Sequence, residues 1–178
     1  MEDELYEIIK SMDEKRTQKP EENKEIVDKL GNKDIMKLKR DMFNKIREFD
    51  DLLKELEYVK ADLNNKIASS GSNDLTNIID HNSYLSNIDK SIKICNDLRK
   101  IIKKGYESVS KECLIGIYNS FYIVKSFGDE NEKMTFKEYC ENVIETCKNS
   151  IPRKCPICGD YNKPDLKSCE YCKAELSG

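Results

Sequence analysis

The chain has 178 residues, of which 37% are charged, and it holds only seven glycines and four prolines. This composition predicts a mainly α protein with long solvated helix faces. The net charge of −3 excludes a general binder of polyanions. No apolar stretch approaches the ~20 residues that a membrane span requires, and the acidic start at 1–4 is unlike a signal peptide. We therefore expect a protein of the reducing cytoplasm.

The first 31 residues predict two short helices. Residues 3–16 carry apolar side chains at helical spacing, beginning with Leu5 and Ile8. A connector at 17–23 follows, and a second short helix ends at Gly31, which can stop a helix at its C-terminus.

The longest predicted element is a helix from Lys33 to about Ala68. Its apolar residues recur through five heptads: Ile35, Met42, Phe49, Leu56 and Leu63. This repeat is typical of a coiled coil, but the stripe is wide enough to favour a helical bundle. The low-complexity linker at 68–73 is short enough to turn the chain. A helix over about 74–104 then completes a long antiparallel helical hairpin.

Two more helices are expected before residue 150. The fourth spans about 106–127, and a polar loop at 129–133 follows it. The fifth begins at a capping box, in which Thr135 and Glu138 satisfy each other's backbone N–H groups. The helical domain thus covers residues 1–150.

The remaining residues, 151–178, contain a doubled Cys-x-x-Cys motif formed by Cys155, Cys158, Cys169 and Cys172. Doubled motifs at this separation indicate a four-thiolate zinc site; two disulfides or four free thiols are the alternatives. Four protein ligands close the site to water, so the single Zn²⁺ is expected to be structural rather than catalytic. The segment resembles the family of short zinc ribbons with four cysteine ligands, which implies binding to a nucleic acid or to a protein.

The residues that follow each motif and the charge of the ribbon are informative. Gly159 follows the first motif, where positive φ is often needed, and Lys173 stands at the equivalent place after the second. The ribbon's nearly balanced charge is too weak to hold nucleic acid strongly. We therefore expect it to dock on a protein. Tyr161 and Tyr171 are candidates for that apolar contact, although one of them could instead cover the zinc site.

A basic cluster lies in the predicted hairpin. Between residues 90 and 111 there are seven basic residues against two acidic ones. Such a cluster is either a solvated face with cations near a helix C-terminus or a patch that contacts phosphates. Its centre supplies the candidate nucleic-acid contacts: Arg99, Lys100, Lys103 and Lys104.

No motif points to catalysis. The chain has neither a phosphate-binding Gly-rich loop nor a Gly-x-Ser-x-Gly or His-Glu-x-x-His motif. The one histidine, His81, is interpreted as a boundary residue with a satisfied ring. The other cysteines lie on apolar faces of predicted helices and are interpreted as buried thiols: Cys95, Cys113, Cys140 and Cys147. The sequence therefore predicts a protein that is not an enzyme.

The order of the helical segments resembles the helical domain of the archaeal GINS family of replication proteins. The resemblance covers roughly residues 3–149 and rests on these runs: Leu5 to Ile9, Asp13 to Arg16, Asp41 to Phe49, Leu98 to Lys104 and Met134 to Tyr139. It implies a non-enzymatic adaptor subunit that bridges the replicative helicase and other GINS-type subunits.

Three functional hypotheses stay open. The leading one is a structural adaptor of a DNA-replication assembly, with the ribbon for docking. The alternative is a zinc-ribbon nucleic-acid-binding protein of transcription or RNA metabolism. The third is a regulator whose helical hairpin self-associates into an oligomer. Stable co-purification with helicase subunits would favour the first, and tight, salt-sensitive binding to naked nucleic acid would favour the second.

Overall fold

The computed structural model describes residues 32–70, 75–107, 121–125 and 131–176. These residues form three helices: α1 over Asn32–Ser69, α2 over Leu75–Glu107 and α3 over Phe136–Ser150. The two short helices predicted before Gly31 lie outside the described residues. The described part of the protein is therefore mainly α, as the composition predicts. Within the described ranges, no helix is both long and apolar enough to cross a membrane.

Two small antiparallel ladders accompany the helices. The first pairs β1, Phe121–Lys125, with β2, Asn131–Thr135. The second pairs β3, Arg153–Lys154, with β4, Tyr161–Asn162. The second ladder belongs to residues 151–176, which we call the cysteine segment.

The long helices α1 and α2 pack against each other and run antiparallel, as the heptads and the short linker at 68–73 together predict. Arg99 of α2 pairs with Asp50 of α1, and Lys60 of α1 lies 2.7 Å from Asp89 of α2. From the first pair to the second, the residue number rises along α1 from Asp50 to Lys60 and falls along α2 from Arg99 to Asp89. The two helices are therefore antiparallel. Ile35 is half buried, and the other heptad residues of α1 are buried: Met42, Phe49, Leu56 and Leu63.

By its contacts the chain divides into two compact units. The first unit comprises Met1–Asp50 and Ile94–Val143, and the second comprises Asp51–Lys93 and Ile144–Gly178. Each long helix contributes one part to each unit. The cysteine segment thus groups with the adjoining parts of α1 and α2.

In the first unit, α3 packs on α1. Lys45 of α1 is buried, and its Nζ lies 2.8 Å from Glu48 Oε2 and 3.5 Å from Oε1 of Glu141 in α3. The predicted capping box is present at the start of α3. The Thr135 N–H donates to Glu138 Oε2 at 2.7 Å, and the Glu138 N–H donates to Thr135 Oγ1 at 3.1 Å. Short-range side-chain chemistry therefore fixes where this helix begins.

The predicted fourth helix is wrong at 121–125, and residues 106–107, which are helical, belong to the end of α2. Helix α2 continues through Gly105 to Glu107, and residues 121–125 form strand β1. Its partner β2 occupies most of the predicted polar loop. The run Phe-Tyr-Ile-Val in β1 is rich in aromatic and β-branched residues, which favour strands. Periodicity alone does not separate helix from strand in so short an apolar run. Residues 108–120 lie outside the described part of the chain.

Candidate metal centre

The four cysteines of the cysteine segment meet at one point. The Sγ atoms of Cys155, Cys158, Cys169 and Cys172 all lie within 4.8 Å of one another. Two of the Sγ–Sγ distances, from Cys155 to Cys172 and from Cys158 to Cys169, are 3.6 Å. Four sulfurs at ~2.3 Å from a central metal would lie roughly 3.8 Å apart, whereas disulfide sulfurs lie ~2.05 Å apart. The spacing fits one metal ion and does not fit two disulfides.

Both Cys-x-x-Cys motifs fold into the same tight turn. The Gly159 N–H donates to the Cys155 carbonyl at 2.9 Å, and the Lys173 N–H donates to the Cys169 carbonyl at 3.0 Å. The φ angles are 77° at Gly159 and 62° at Lys173. Positive φ therefore follows each motif, and at Lys173 it is imposed on a residue with a side chain.

Backbone N–H groups donate to the first sulfur of the first motif. Hydrogen bonds from the Cys158 N–H and then the Ile157 N–H hold the pKa of the Cys155 thiol below its ordinary value. The Ile157 nitrogen lies 3.4 Å from that Sγ. The Cys158 residue is exposed at its surface, but its Sγ lies among the other sulfurs, and burial raises the pKa of this thiol to about 12.

The second motif repeats this arrangement around Cys169. Burial raises the pKa of the Cys169 thiol, but hydrogen bonds from the Cys172 N–H, the Tyr171 N–H and the Asn162 side chain outweigh it. The net effect lowers the pKa to about 6. Hydrogen-bond donors thus favour the thiolate at the two buried cysteines, Cys155 and Cys169, and the thiolate is the form that binds a metal.

Asn162 ties the two motifs together, a role that the sequence did not reveal. The residue is fully buried at 0% exposure. Its Nδ2 donates to Cys169 Sγ at 3.5 Å and to the Asp160 carbonyl at 3.1 Å, while its Oδ1 accepts from the Glu170 N–H at 2.9 Å. A residue outside the ligand set that bonds a ligand sulfur orients that ligand. Asn162 belongs to β4, where it pairs with Arg153 of β3.

The cysteine segment contacts the C-terminal part of α1. Lys154 Nζ lies 2.9 Å from Asp62 Oδ2, and Lys66 Nζ lies 3.8 Å from Asp160 Oδ1. The hydrogen bond that Lys154 donates to Asp62 raises the pKa of Lys154. Burial raises the pKa of Asp62, but its hydrogen bonds with Lys154 and Tyr161 lower it overall. Charged and polar groups thus join the segment to α1.

The segment also contacts the N-terminal part of α2. The Tyr171 hydroxyl donates to Asp80 Oδ2 at 3.3 Å. The rings of Tyr161 and Tyr171 each lie 6.5 Å from the ring of His81. His81 is only 1% exposed, deeper than the boundary position expected from the sequence, and Tyr161 is 2% exposed. Both tyrosines therefore contact helices of their own chain, Tyr161 as a buried residue and Tyr171 as a partly buried one.

No family model, curated protein or solved structure matches this chain. The arrangement of the four sulfurs and their hydrogen bonds therefore carries the functional argument.

The candidate nucleic-acid residues do not all face solvent. Arg99 donates a hydrogen bond to Asp50 of α1, and its side chain is 29% exposed. Lys100 and Lys104 are exposed one turn apart on α2, while the exposed Lys103 lies 3.9 Å from Glu107. The structure thus keeps three lysines together at the surface and turns the arginine toward α1.

Three of the helical cysteines are buried, as predicted: Cys95, Cys140 and Cys147. Burial raises the pKa of the Cys140 thiol well above its ordinary value. Such a thiol stays protonated and behaves as a small apolar side chain. Cys113 lies outside the described residues.

Proposed function

We propose that the cysteine segment is a zinc ribbon that binds one structural Zn²⁺ through Cys155, Cys158, Cys169 and Cys172. The convergence of the four Sγ atoms within 4.8 Å carries this proposal. Thiolates are soft ligands that suit zinc. Four of them fill a tetrahedral site and leave no position for an activated water. The ion would stabilise the fold and would take no part in catalysis.

Metal analysis tests the zinc proposal. The full chain, purified without chelator, should contain close to one zinc per molecule by inductively coupled plasma mass spectrometry. Cys172→Ser should lower that ratio strongly. The matched control Cys147→Ser, which changes a buried cysteine of α3 outside the cluster, should leave it unchanged. Wild-type protein free of zinc would contradict the proposal.

We further propose that the protein is a non-enzymatic adaptor subunit of a DNA-replication assembly. The resemblance of its helical segments to GINS-type proteins supports this role. Exposed apolar side chains on α1 are consistent with a protein partner, since Met36 is 68% exposed and Phe43 is 46% exposed. Affinity purification of the full chain from its native cells should recover helicase or GINS-type subunits. Recovery of RNA-processing or transcription proteins instead would contradict the replication role.

The exposed lysines of α2 support the alternative of a nucleic-acid-binding protein. Lys100, Lys103 and Lys104 offer three cationic contacts for phosphates along one helix. Each phosphate contact makes affinity fall with salt concentration. Tight binding of an oligonucleotide by the full chain, with a steep dependence on salt, would favour this alternative over the adaptor.

A further inference from the structure

The ring of His81 lies at the centre of an aromatic cluster. Tyr84, one turn further along α2, and Tyr161 and Tyr171 of the cysteine segment each have their ring centres 6.5 Å from His81. The Tyr161 ring stands nearly perpendicular to the imidazole, at 87°. Edge-to-face contacts at this separation are favourable beyond the area that they bury. His81 therefore joins α2 to both halves of the cysteine segment.

Polar contacts surround this cluster on both helices. On α2, Asp80 accepts the Tyr171 hydroxyl at 3.3 Å. On α1, Asp62 interacts with Lys154 at 2.9 Å and with the Tyr161 hydroxyl. The segment is thus held at an aromatic centre and at polar contacts on each side.

The cysteine segment has little core of its own. Its buried apolar cluster consists of Cys155, Cys169 and Leu176, with three partly buried neighbours. A chain this short folds only when metal, disulfides or outside contacts add free energy. Its largest buried side chain, Tyr161, is among those that contact the helices. The helices therefore supply packing that the segment lacks.

The tyrosines connect this packing to the metal ligands through the backbone. Tyr171 lies between Cys169 and Cys172 inside the second motif. Tyr161 is adjacent to Asn162, whose Nδ2 donates to Cys169 Sγ. A shift of either ring would displace a ligand or the group that orients it.

We propose that His81 is a positioning residue for the metal centre, which seats the cysteine segment on α1 and α2 so that metal binding and order at these helix ends stabilise each other. This inference rests on the proposed zinc binding. Coupling between two equilibria is reciprocal. If the contacts between the cysteine segment and the helices raise the affinity for metal by some factor, bound metal must raise the equilibrium constant for forming those contacts by the same factor.

Competition with a chromophoric chelator tests one direction of the coupling in the full chain. His81→Ala should weaken zinc binding about tenfold, within the range of about 5–150-fold that is typical of coupled sites. Asp80→Ala, a milder change, should weaken it by a smaller factor. The matched control Asn82→Ala changes the exposed neighbour of His81 and should bind zinc like the wild type. Cobalt bound by His81→Ala should keep the spectrum of a four-thiolate site, because the ligands themselves are unchanged.

Amide hydrogen exchange tests the other direction. Removing zinc from the wild type should speed exchange at 62–69 and 76–84, and the effect should shrink in His81→Ala. Exchange in the first unit, at 95–103, serves as the internal control. Normal zinc content with unchanged affinity in both variants would overturn the coupling alone, as would metal-independent exchange at the helix ends. A wild-type chain that takes up no metal would contradict the zinc site itself, and the coupling with it.

Discussion

The hydroxyl of Tyr171 donates a hydrogen bond to the carboxylate of Asp80, a residue 91 positions earlier in the chain, at 3.3 Å. Tyr171 belongs to a Cys-x-x-Cys motif, and Asp80 belongs to a long helix. The Cys-x-x-Cys motif and the N-terminal part of α2, up to Lys93, belong to the same compact unit. Burial, followed by the charge of Asp80, raises the pKa of Tyr171 well above its ordinary value, so the phenol keeps the proton that it donates.

Tyr171→Phe should therefore destabilise the second unit by about 1 kcal/mol, the net value of a typical hydrogen bond. The ring and its packing on His81 remain, so only the hydroxyl contact is lost. Amide exchange at 75–84, measured at increasing denaturant concentration, gives the loss of stability. The control Tyr58→Phe removes a hydroxyl from a tyrosine that is 65% exposed and should change little. Equal effects of the two substitutions would contradict a specific role for the Asp80 contact.

Asn162→Ala should weaken zinc binding about 10–100-fold, the usual cost of losing a group that orients a metal ligand. The substitution removes the donor to Cys169 Sγ and leaves the Glu170 N–H without its acceptor. Asn149→Ala, at an exposed position of α3, is the matched control. Chelator competition measures both variants. An unchanged affinity in Asn162→Ala would show that the two motifs hold their ligands without this side chain.

The two positive-φ positions predict a pair of contrasting substitutions. Gly159→Ala should cost about 1–2 kcal/mol because an L side chain is strained at positive φ. Space is not the cause, since an added Cβ would lie 3.6 Å from Lys66 Nζ and 3.9 Å from Lys154 Cε.

Lys173→Gly relieves the same strain, but it adds freedom to the unfolded chain and removes the 2.8 Å hydrogen bond from Lys173 Nζ to the Glu170 carbonyl. The net change should therefore stay within about 1 kcal/mol of the wild type. Thermal melts of the zinc-loaded protein compare the two variants. A larger loss from Lys173→Gly than from Gly159→Ala would contradict this account of the turns.

Cys172→Ser should open the cysteine segment while most of the helix content survives. The α1 and α2 helices keep their own buried stripes, among them Leu56 and Leu98, so their association does not depend on the metal. Far-UV circular dichroism should change slightly, and exchange at 153–176 should become fast. Complete loss of helicity would mean that the metal centre holds the whole fold together.

A triple reversal of Lys100, Lys103 and Lys104 to Glu tests the nucleic-acid alternative without touching Arg99, which the structure assigns to a pair with Asp50. If these lysines contact phosphates, the slope of log affinity against log salt should fall by roughly 2–3. A control with the same change in charge reverses three other exposed lysines: Lys37, Lys54 and Lys148. An equal loss of affinity for nucleic acid in both variants would indicate an effect of net charge rather than a defined contact.

The sequence by itself determined the features that depend on local spacing. Heptads in α1 marked the buried stripe because side chains at helical spacing share a face, and the capping box marked the start of α3 through residues three apart. The doubled Cys-x-x-Cys motif identified the four thiols, because each tight turn brings its own two sulfurs together.

Only the tertiary structure decided the contacts between distant residues. The contacts of His81 and Asn162 depend on where β4 and the second motif come to lie, and no spacing rule connects these residues to their partners. Strand β1 shows the same limit at shorter range, because its apolar run suits a helix as well as a strand until β2 supplies the hydrogen bonds. Local geometry follows from neighbouring residues, whereas the seat of the cysteine segment follows from surfaces that exist only after the helices have packed.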